Sequence, residues 1–339
     1  MGTTIYEIAQ KAGVSVATVS RVLNRKANIK KETRDRVLSV IERLNYYPRV
    51  SSRTKTKRIG IIVPPFRNLF RSYYVTEVLT GITNYDFTFT CELTFFPRNI
   101  FSEEPKELFY VLKTENIFFA IFLYGLVEDY NHILFTAEKR FPHIVIGGKY
   151  PKEKGINWID ADNSGAISKV VRYLISLGHC KIGLINTPKY LVSSQERLES
   201  YQRTLKENGM EKKAMVLFSK GTKPEDGYEA AIDLFTHNTA PTAVIAGNDR
   251  IALGVYKALA ELGYRVPEDI SVVGSDDIPL SEHLVPSLTT IHVPWEEIGR
   301  RVAEIIQMYH TTGELPSLQE VVEANLILRN STGLPRKTG

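Results

Sequence analysis

Two sets of residues in this sequence have the types and spacing to do chemistry. The first lies in AGVSVATVSRVLN, Ala12 to Asn24. Ser15, Val16, Ala17 and Thr18 open a predicted helix, and Arg21 falls one turn on, along the face of Ala17 and Thr18. Small residues at a helix start let its backbone enter a major groove, and an arginine one turn further can reach guanine O6 and N7 in bidentate fashion. Ser15, Ser20 and Asn24 are short donors suited to phosphates or base edges. The plainer alternative is a helical cap with Arg21 in solvent. The second set is spread out: Asp160, Asn248 and Asp276 each follow a predicted strand, and Arg197 lies at the start of the helix after another. In two-lobed α/β folds ligands bind beyond the carboxyl ends of the strands. Carboxylate, amide and guanidinium together can bind vicinal hydroxyls, as in a sugar. Against this, Asp and Asn after a strand often cap the next helix, which is the expectation for Asp249 ahead of residues 250–262. Arg197 could be a surface ion pair, and Asp277 is expected to serve the turn.

Catalytic and metal constellations are not visible. The sequence has no GxGxxG, Walker A, HExxH or GxSxG. The seven histidines are scattered; His179 beside Cys180 is expected in a structural turn, and Asp276–Asp277 has no accompanying nucleophile or ligand set. No enzyme, cofactor or metal is therefore expected. Cys91 and Cys180 cannot make a disulfide framework, which fits a reducing cytoplasm. No apolar run reaches the ~18 residues of a membrane helix.

The elements that must position these residues follow from pattern. Residues 1–58 carry 14 Lys/Arg against 4 Asp/Glu, whereas the whole chain is only +5, so a basic module precedes a mildly acidic body. That asymmetry points the first module, and it alone, towards nucleic acid or an anionic surface. Thr4 can cap a helix over 5–12 with Glu7 completing a capping box, Gly13 stops it, Ser15 caps a second over 16–23, and a third spans about 31–44. Residues 49–58, RVSSRTKTKR, hold five basic residues and one apolar one, Val50, and cannot build a core; they are either a tether or a segment that orders on DNA. From Ile59 onward, short apolar runs alternate with amphipathic helices, which means doubly wound parallel sheets. Ten predicted strands, among them 87–95, 158–159 and 321–328, are too many for one ordinary sheet, so two α/β lobes are expected.

Read together, TIYEIAQKAGVSVATVSRVLN and ETRDRVLSVIERLNYYP closely resemble the DNA-binding domain of LacI/GalR-type bacterial transcription regulators. The resemblance continues through YLISLGHCKIGLI, PTAVIAGNDRIALGVYKALAELGYRVPEDISVVGSDDI and PSLTTIHVPWEEIGRRVAEII. It covers about residues 4–332 and is weakest over 66–115 and 186–225. It implies a helix-turn-helix head over 1–48, a basic linker over 49–58, and a periplasmic-binding-protein-like effector and dimerisation domain over 59–334. Lobe 1 would hold about 59–157 and 292–319, and lobe 2 about 158–291 and 320–330.

By that resemblance, Val16 and Ala17 occupy the base-reading positions, where apolar side chains touch thymine methyls without directional hydrogen bonds. Arg21 would then lead discrimination, with Thr18, Ser20 and Asn24 in support. Tyr6, Ser15, Asn28, Thr33 and Tyr46 match positions that touch the DNA backbone. Arg197, Asn248 and Asp276 match effector-contacting positions, and Asp160 a more variable one. Pro64 to Tyr74 matches a segment that closes over the ligand, so Phe66, Phe70 or Tyr73 could offer a ring to a pyranose; core or dimer-interface packing is the alternative. Two departures stand out. The linker lacks the leucine that family hinge helices wedge into the minor groove and looks about four residues short, and no aromatic occurs near Thr222. The resemblance implies a cytoplasmic homodimer that represses sugar-use genes from a near-palindromic operator. Control by a protein co-regulator, or a periplasmic-type sugar carrier, are the alternatives. With no leucine heptad in NSTGLPRKTG, a dimer is expected.

Overall fold

The computed structural model describes residues 4–23, 29–44, 46, 56–64, 69–98, 104–151, 155–237 and 240–336. The head is three helices, α1 (Ile5–Ala12), α2 (Val16–Leu23) and α3 (Lys31–Arg43). Thr4 Oγ1 accepts from the Glu7 amide at 3.4 Å, Gly13 ends α1 in the left-handed region, and Ser15 Oγ accepts from the Thr18 amide at 3.1 Å. These caps satisfy amides that the helix starts would leave unpaired. Ile8, Ala12, Val19, Val22, Val37 and Ile41 are buried between the helices.

The body begins with β1 (Lys57–Val63), α4 (Tyr73–Thr83), β2 (Cys91–Pro97), α5 (Pro105–Thr114), β3 (Ile117–Leu123), α6 (Tyr130–Glu138), β4 (His143–Ile146) and β5 (Trp158–Ala161). It continues with α7 (Asn163–Ser176), β6 (Ile182–Asn186), α8 (Val192–Glu207), β7 (Met215–Phe218), α9 (Pro224–His237), β8 (Ala243–Ala246) and α10 (Asp249–Glu261). Last come β9 (Ser271–Asp276), β10 (Thr289–His292), α11 (Trp295–Thr312), β11 (Gln319–Val322) and β12 (Asn325–Ile327). Two six-stranded sheets result, ordered β11-β5-β4-β3-β1-β2 and β12-β10-β9-β8-β6-β7. All pairings are parallel except β10 with β12. Strands such as β3, IFFAIFL, are apolar on both faces because helices cover both. In the first sheet, Ile59, Ile61, Phe119 and Ile121 face α4 and α11, and Ile62, Phe122 and Val145 face α5 and α6.

The chain passes between lobes after β5, after β10, and between β11 and β12. The expected boundaries shift accordingly. β5 pairs with β4 and β11, so 158–161 belongs to the first lobe, and the crossover comes where Asp162 caps α7 through the Gly165 amide at 2.9 Å. The run 321–328 is not one strand: β11 stays with the first sheet and β12 pairs with the second. Residues 320–322 therefore leave the second lobe. Phe87 and Phe89 precede β2, and their rings make edge-on and tilted contacts in series with Tyr85 and His310 instead of entering the ladder. β7, half-buried along its length, is a strand the sequence pattern did not indicate.

The first lobe is closed by a backbone-close crossing of α4 and α11. A Cβ on Gly81 would lie 2.0 Å from Glu296 O, and one on Gly299 2.2 Å from Val78 O. Only glycine lets these helices meet so closely.

Candidate nucleic-acid interface and effector cleft

The head presents Tyr6, Ser15, Ala17 and Arg21 on its exposed surface, Tyr6 with 73% of its area accessible. Thr18 and Ser20 are half-buried, and Thr18 Oγ1 lies 2.9 Å from Ser15 Oγ, so the two hydroxyls form one polar corner at the start of α2. Val16 is half-buried against the head core, and Ala17 and Arg21 are exposed. Thr33 and Tyr46 are half-buried, and the Tyr46 amide donates to Ile41 O at 3.0 Å. Asn24, Asn28 and Val50 lie outside the described residues.

Between the lobes, a narrow cleft collects the carboxyl ends of both sheets. Asp160, Arg197, Asn248 and Asp276, spread over 117 positions of sequence, all line it. Phe70 does not: it packs edge-on against Phe95 with rings 5.2 Å apart and stays 58% exposed. Phe66 is outside the described residues. The rings at the cleft are Tyr73, Tyr74, Tyr124 and Trp295, and Thr187, Ser193 and Thr222 add hydroxyls. Of these only Tyr73 was singled out from sequence. Tyr124 follows β3 directly and Trp295 opens α11 after the two residues that follow β10, and a place beyond a strand's carboxyl end is the signal that could have found them.

Asp160 is fully buried. Its carboxylate accepts from the Ala161 amide at 2.8 Å and from Asn163 Nδ2 at 3.2 Å. Burial pushes its pKa up to about 7, Glu196 adds to this, and Lys149 and Arg197 oppose it. Asp276 ends β9 and accepts from Trp295 Nε1 at 3.3 Å. Burial pushes it up to about 6 against the pull of Arg197. Arg197 is buried and donates to Thr187 Oγ1 at 3.1 Å. Burial lowers its pKa, and Asp276, Asp160 and Glu196 hold it up. The guanidinium thus serves two carboxylates that are too buried to ionise easily alone.

Asn248, still in the cleft, takes the capping role expected of Asp249. Asn248 Oδ1 accepts from the Ile251 amide at 2.7 Å and is the cap of α10, while its Nδ2 is 3.4 Å from Thr222 O. Asp249, fully buried, reaches instead across to the loop after β9. It accepts from the Ile278 amide at 2.9 Å, Ser281 Oγ at 2.7 Å and Thr290 Oγ1. Burial and then Asp276 push it up to about 7, against these donors. That loop needs holding, because Asp276 and Asp277 both have positive φ, 105° and 54°. Asp277 serves the turn as expected: it pairs with Arg329 at 2.7 Å and with His292 Nδ1 at 3.1 Å.

The lobes are tied directly across the cleft. Leu126 and Leu191 form an antiparallel bridge, with Val127 N donating to Tyr190 O at 2.9 Å and Val192 N to Gly125 O at 2.8 Å. Lys149 Nζ lies 3.2 Å from Glu196, and Arg250 Nη1 donates to Arg71 O at 3.2 Å. Among the described residues no cluster of His, Cys, Asp and Glu could hold a metal, and no helix is long and apolar enough to cross a membrane.

Known proteins share this architecture. A family model described as "Bacterial regulatory proteins, lacI family" matches residues 4–49, and one described as a periplasmic binding protein-like domain matches 171–332. The HTH-type transcriptional repressor PurR of Haemophilus influenzae (strain ATCC 51907 / DSM 11121 / KW20 / Rd) is 30% identical over 307 residues, 89% of this chain and 90% of that protein. Catabolite control protein A of Priestia megaterium is 29% identical over 91% of this chain and 93% of that one. Among solved structures, a transcriptional regulator CelR–cellobiose complex aligns with a TM-score of 0.69 at 26% identity, over 97% of this chain and 99% of that one. The Lac repressor dimer bound to operator and an anti-inducer aligns with 0.68 over 98% and 100%; at 23% identity it speaks to the fold alone.

Proposed function

Since this chain belongs to the LacI family of bacterial regulatory proteins, we propose that it is a cytoplasmic, homodimeric repressor whose operator affinity is set by a neutral sugar in the interlobe cleft. Residues 1–48 read DNA, the basic segment after them joins them to the body, and the body, which begins at Lys57 of β1 and not at 59 as expected, senses the ligand and dimerises. Arg21 leads base recognition, with Ala17 and Val16 on thymine methyls and Thr18, Ser20 and Asn24 in support. Tyr6, Ser15, Asn28, Thr33 and Tyr46 hold the phosphates. Two heads on a two-fold dimer call for a near-palindromic site.

The observation that carries the sugar reading is the composition of the cleft. Asp160, Asp276 and Asn248 accept or bridge hydroxyls, Arg197 and Thr187 donate, and Trp295 and Tyr124 offer flat apolar faces. Of the charged side chains that line the cleft, Asp160 and Asp276 balance Arg197 and Arg250, so no excess of positive charge draws an anionic ligand and a neutral polyol is the better match. The CelR–cellobiose complex, a relative with a bound sugar, supports the same reading. A ligand that joins Asp276 on one lobe to Trp295 on the other favours one setting of the lobes. Differential binding of ~1–3 kcal/mol between two settings is enough to change operator affinity.

Calorimetric titration with neutral mono- and disaccharides, cellobiose included, and with their phosphate esters tests this. Heat from a neutral sugar that disappears in Asp276→Asn supports the reading. Binding of phosphate esters alone, or of no sugar, contradicts it.

A further inference from the structure

On the outer side of the first lobe, α5 meets α3 of the head through a few side chains. Three contacts repeat at helical spacing along both. Arg34 pairs with Glu107 at 3.9 Å, Asp35 with Lys106 at 3.9 Å, and the Tyr110 hydroxyl donates to Leu38 O at 2.9 Å. Residues 34, 35 and 38 share one face of α3, and 106, 107 and 110 one face of α5. Tyr110 and Leu38 are both buried, and the apolar residues of the two helices belong to one continuous cluster. The opposite face of α3 packs on α1 and α2 within the head. None of Tyr6, Ala17 and Arg21, which face outward, takes part.

We propose that this face of α5 is the docking surface for the chain's own head, and that the contact fixes where the recognition helix points. The inference rests on the reading of the chain as an operator-binding repressor. Lys57 and Arg58 of the connecting segment already belong to β1, and the residues from Arg49 up to them include one apolar side chain, Val50, which is too little to hold the head in one pose by packing. The α3–α5 contact can, because it combines a buried hydrogen bond with two opposite-sign pairs whose order is reversed along the helices: cation on α3 to anion on α5, then anion to cation. That alternation sets one register and disfavours its neighbours. Docking leaves the reading face free, so it is compatible with DNA. A movement of the first lobe then moves the head with it, through side chains instead of through the linker.

The test uses the full-length protein and an operator selected from random DNA. Inserting one base pair between half-sites turns one relative to the other by about 35°. Heads held rigidly resist that change. The native protein is expected to lose about tenfold or more in affinity on insertion, and Glu107→Arg, which sets a second cation against Arg34, less than about threefold. Adding Arg34→Glu restores the spacing preference. Tyr110→Phe removes only the hydroxyl and gives an intermediate loss, which keeps the test usable if Glu107→Arg folds poorly. Unchanged spacing preference in both single variants overturns the proposal. A DNA-free arm separates this from failure of the repressor reading. In the native protein, NMR signals of the head broaden with the body, and in Glu107→Arg they sharpen. Sharp head signals in the native protein overturn the proposal even if no operator is found.

Discussion

The indole of Trp295, at the start of the first lobe's last helix, donates to the carboxylate of Asp276, at the end of a second-lobe strand, over 3.3 Å. The residue expected to bind the effector is thus already part of a bond across the cleft. A ligand that inserts there replaces a weak interlobe tie with its own, which makes occupancy and lobe geometry one event.

Asp276→Asn should abolish the effect of ligand on operator affinity while leaving ligand-free DNA binding within about twofold, since the residue is remote from the head. In the native protein, ligand affinity should fall as pH drops through about 6, where Asp276 takes up a proton and loses its charge-assisted acceptor role. A titration series from pH 5 to 8 reads both.

Arg21→Ala should cost ~1–3 kcal/mol of specific binding and relax preference at one base pair, with a smaller effect on random DNA. Equilibrium binding to the selected site and to its single-base variants measures this. Equal losses on specific and random DNA would return Arg21 to a phosphate role.

Asp160 sets a stability trend with pH. Its folded pKa is raised to about 7, whereas an unfolded aspartate titrates near about 3.9. Between those values the unfolded chain releases its proton first, so this group's contribution is full below about pH 4 and is lost as pH rises through about 7. Asp160→Asn should therefore raise the melting temperature above pH 7 and change it little below pH 4. Thermal unfolding of both proteins over that range checks the sign.

Gly81→Ala should destabilise the first lobe by about 1–3 kcal/mol, because its methyl would need the space of Glu296 O, 2.0 Å away. Denaturant unfolding measures the loss. An exposed-glycine control is Gly155, whose Cβ would meet nothing within 4 Å but whose φ of +65° makes alanine costly for a different reason.

The head was legible almost residue by residue. Thr4, Gly13 and Ser15 act through bonds to amides three residues on or to the preceding turn, and such local chemistry leaves a mark in sequence. The alternation of strands and helices was equally readable, since burial on both faces forces apolar runs. Lobe membership was not. Which sheet takes 158–161 or 319–322 is decided by pairing partners more than a hundred residues apart, Trp158 with Gln319 for example. The cleft was half legible. Asp160, Arg197, Asn248 and Asp276 follow strands and converge, but Phe70 stays outside it, because an aromatic's destination depends on its neighbours' packing and not on its own type. That Asn248 and not Asp249 caps α10 has the same origin. Either could cap α10, and it is Ile278 and Ser281 of the loop after β9, with Thr290 of β10, that claim Asp249.

The central claim is that one molecule joins operator recognition to a sugar-filled cleft. Operator selection from random DNA by the full-length protein, repeated with and without the sugar panel, tests it most directly. The account predicts a near-palindromic site whose occupancy changes with a neutral sugar, and no change with that sugar in Asp276→Asn. A site whose occupancy ignores every neutral sugar, or a failure to enrich any palindrome, would contradict it.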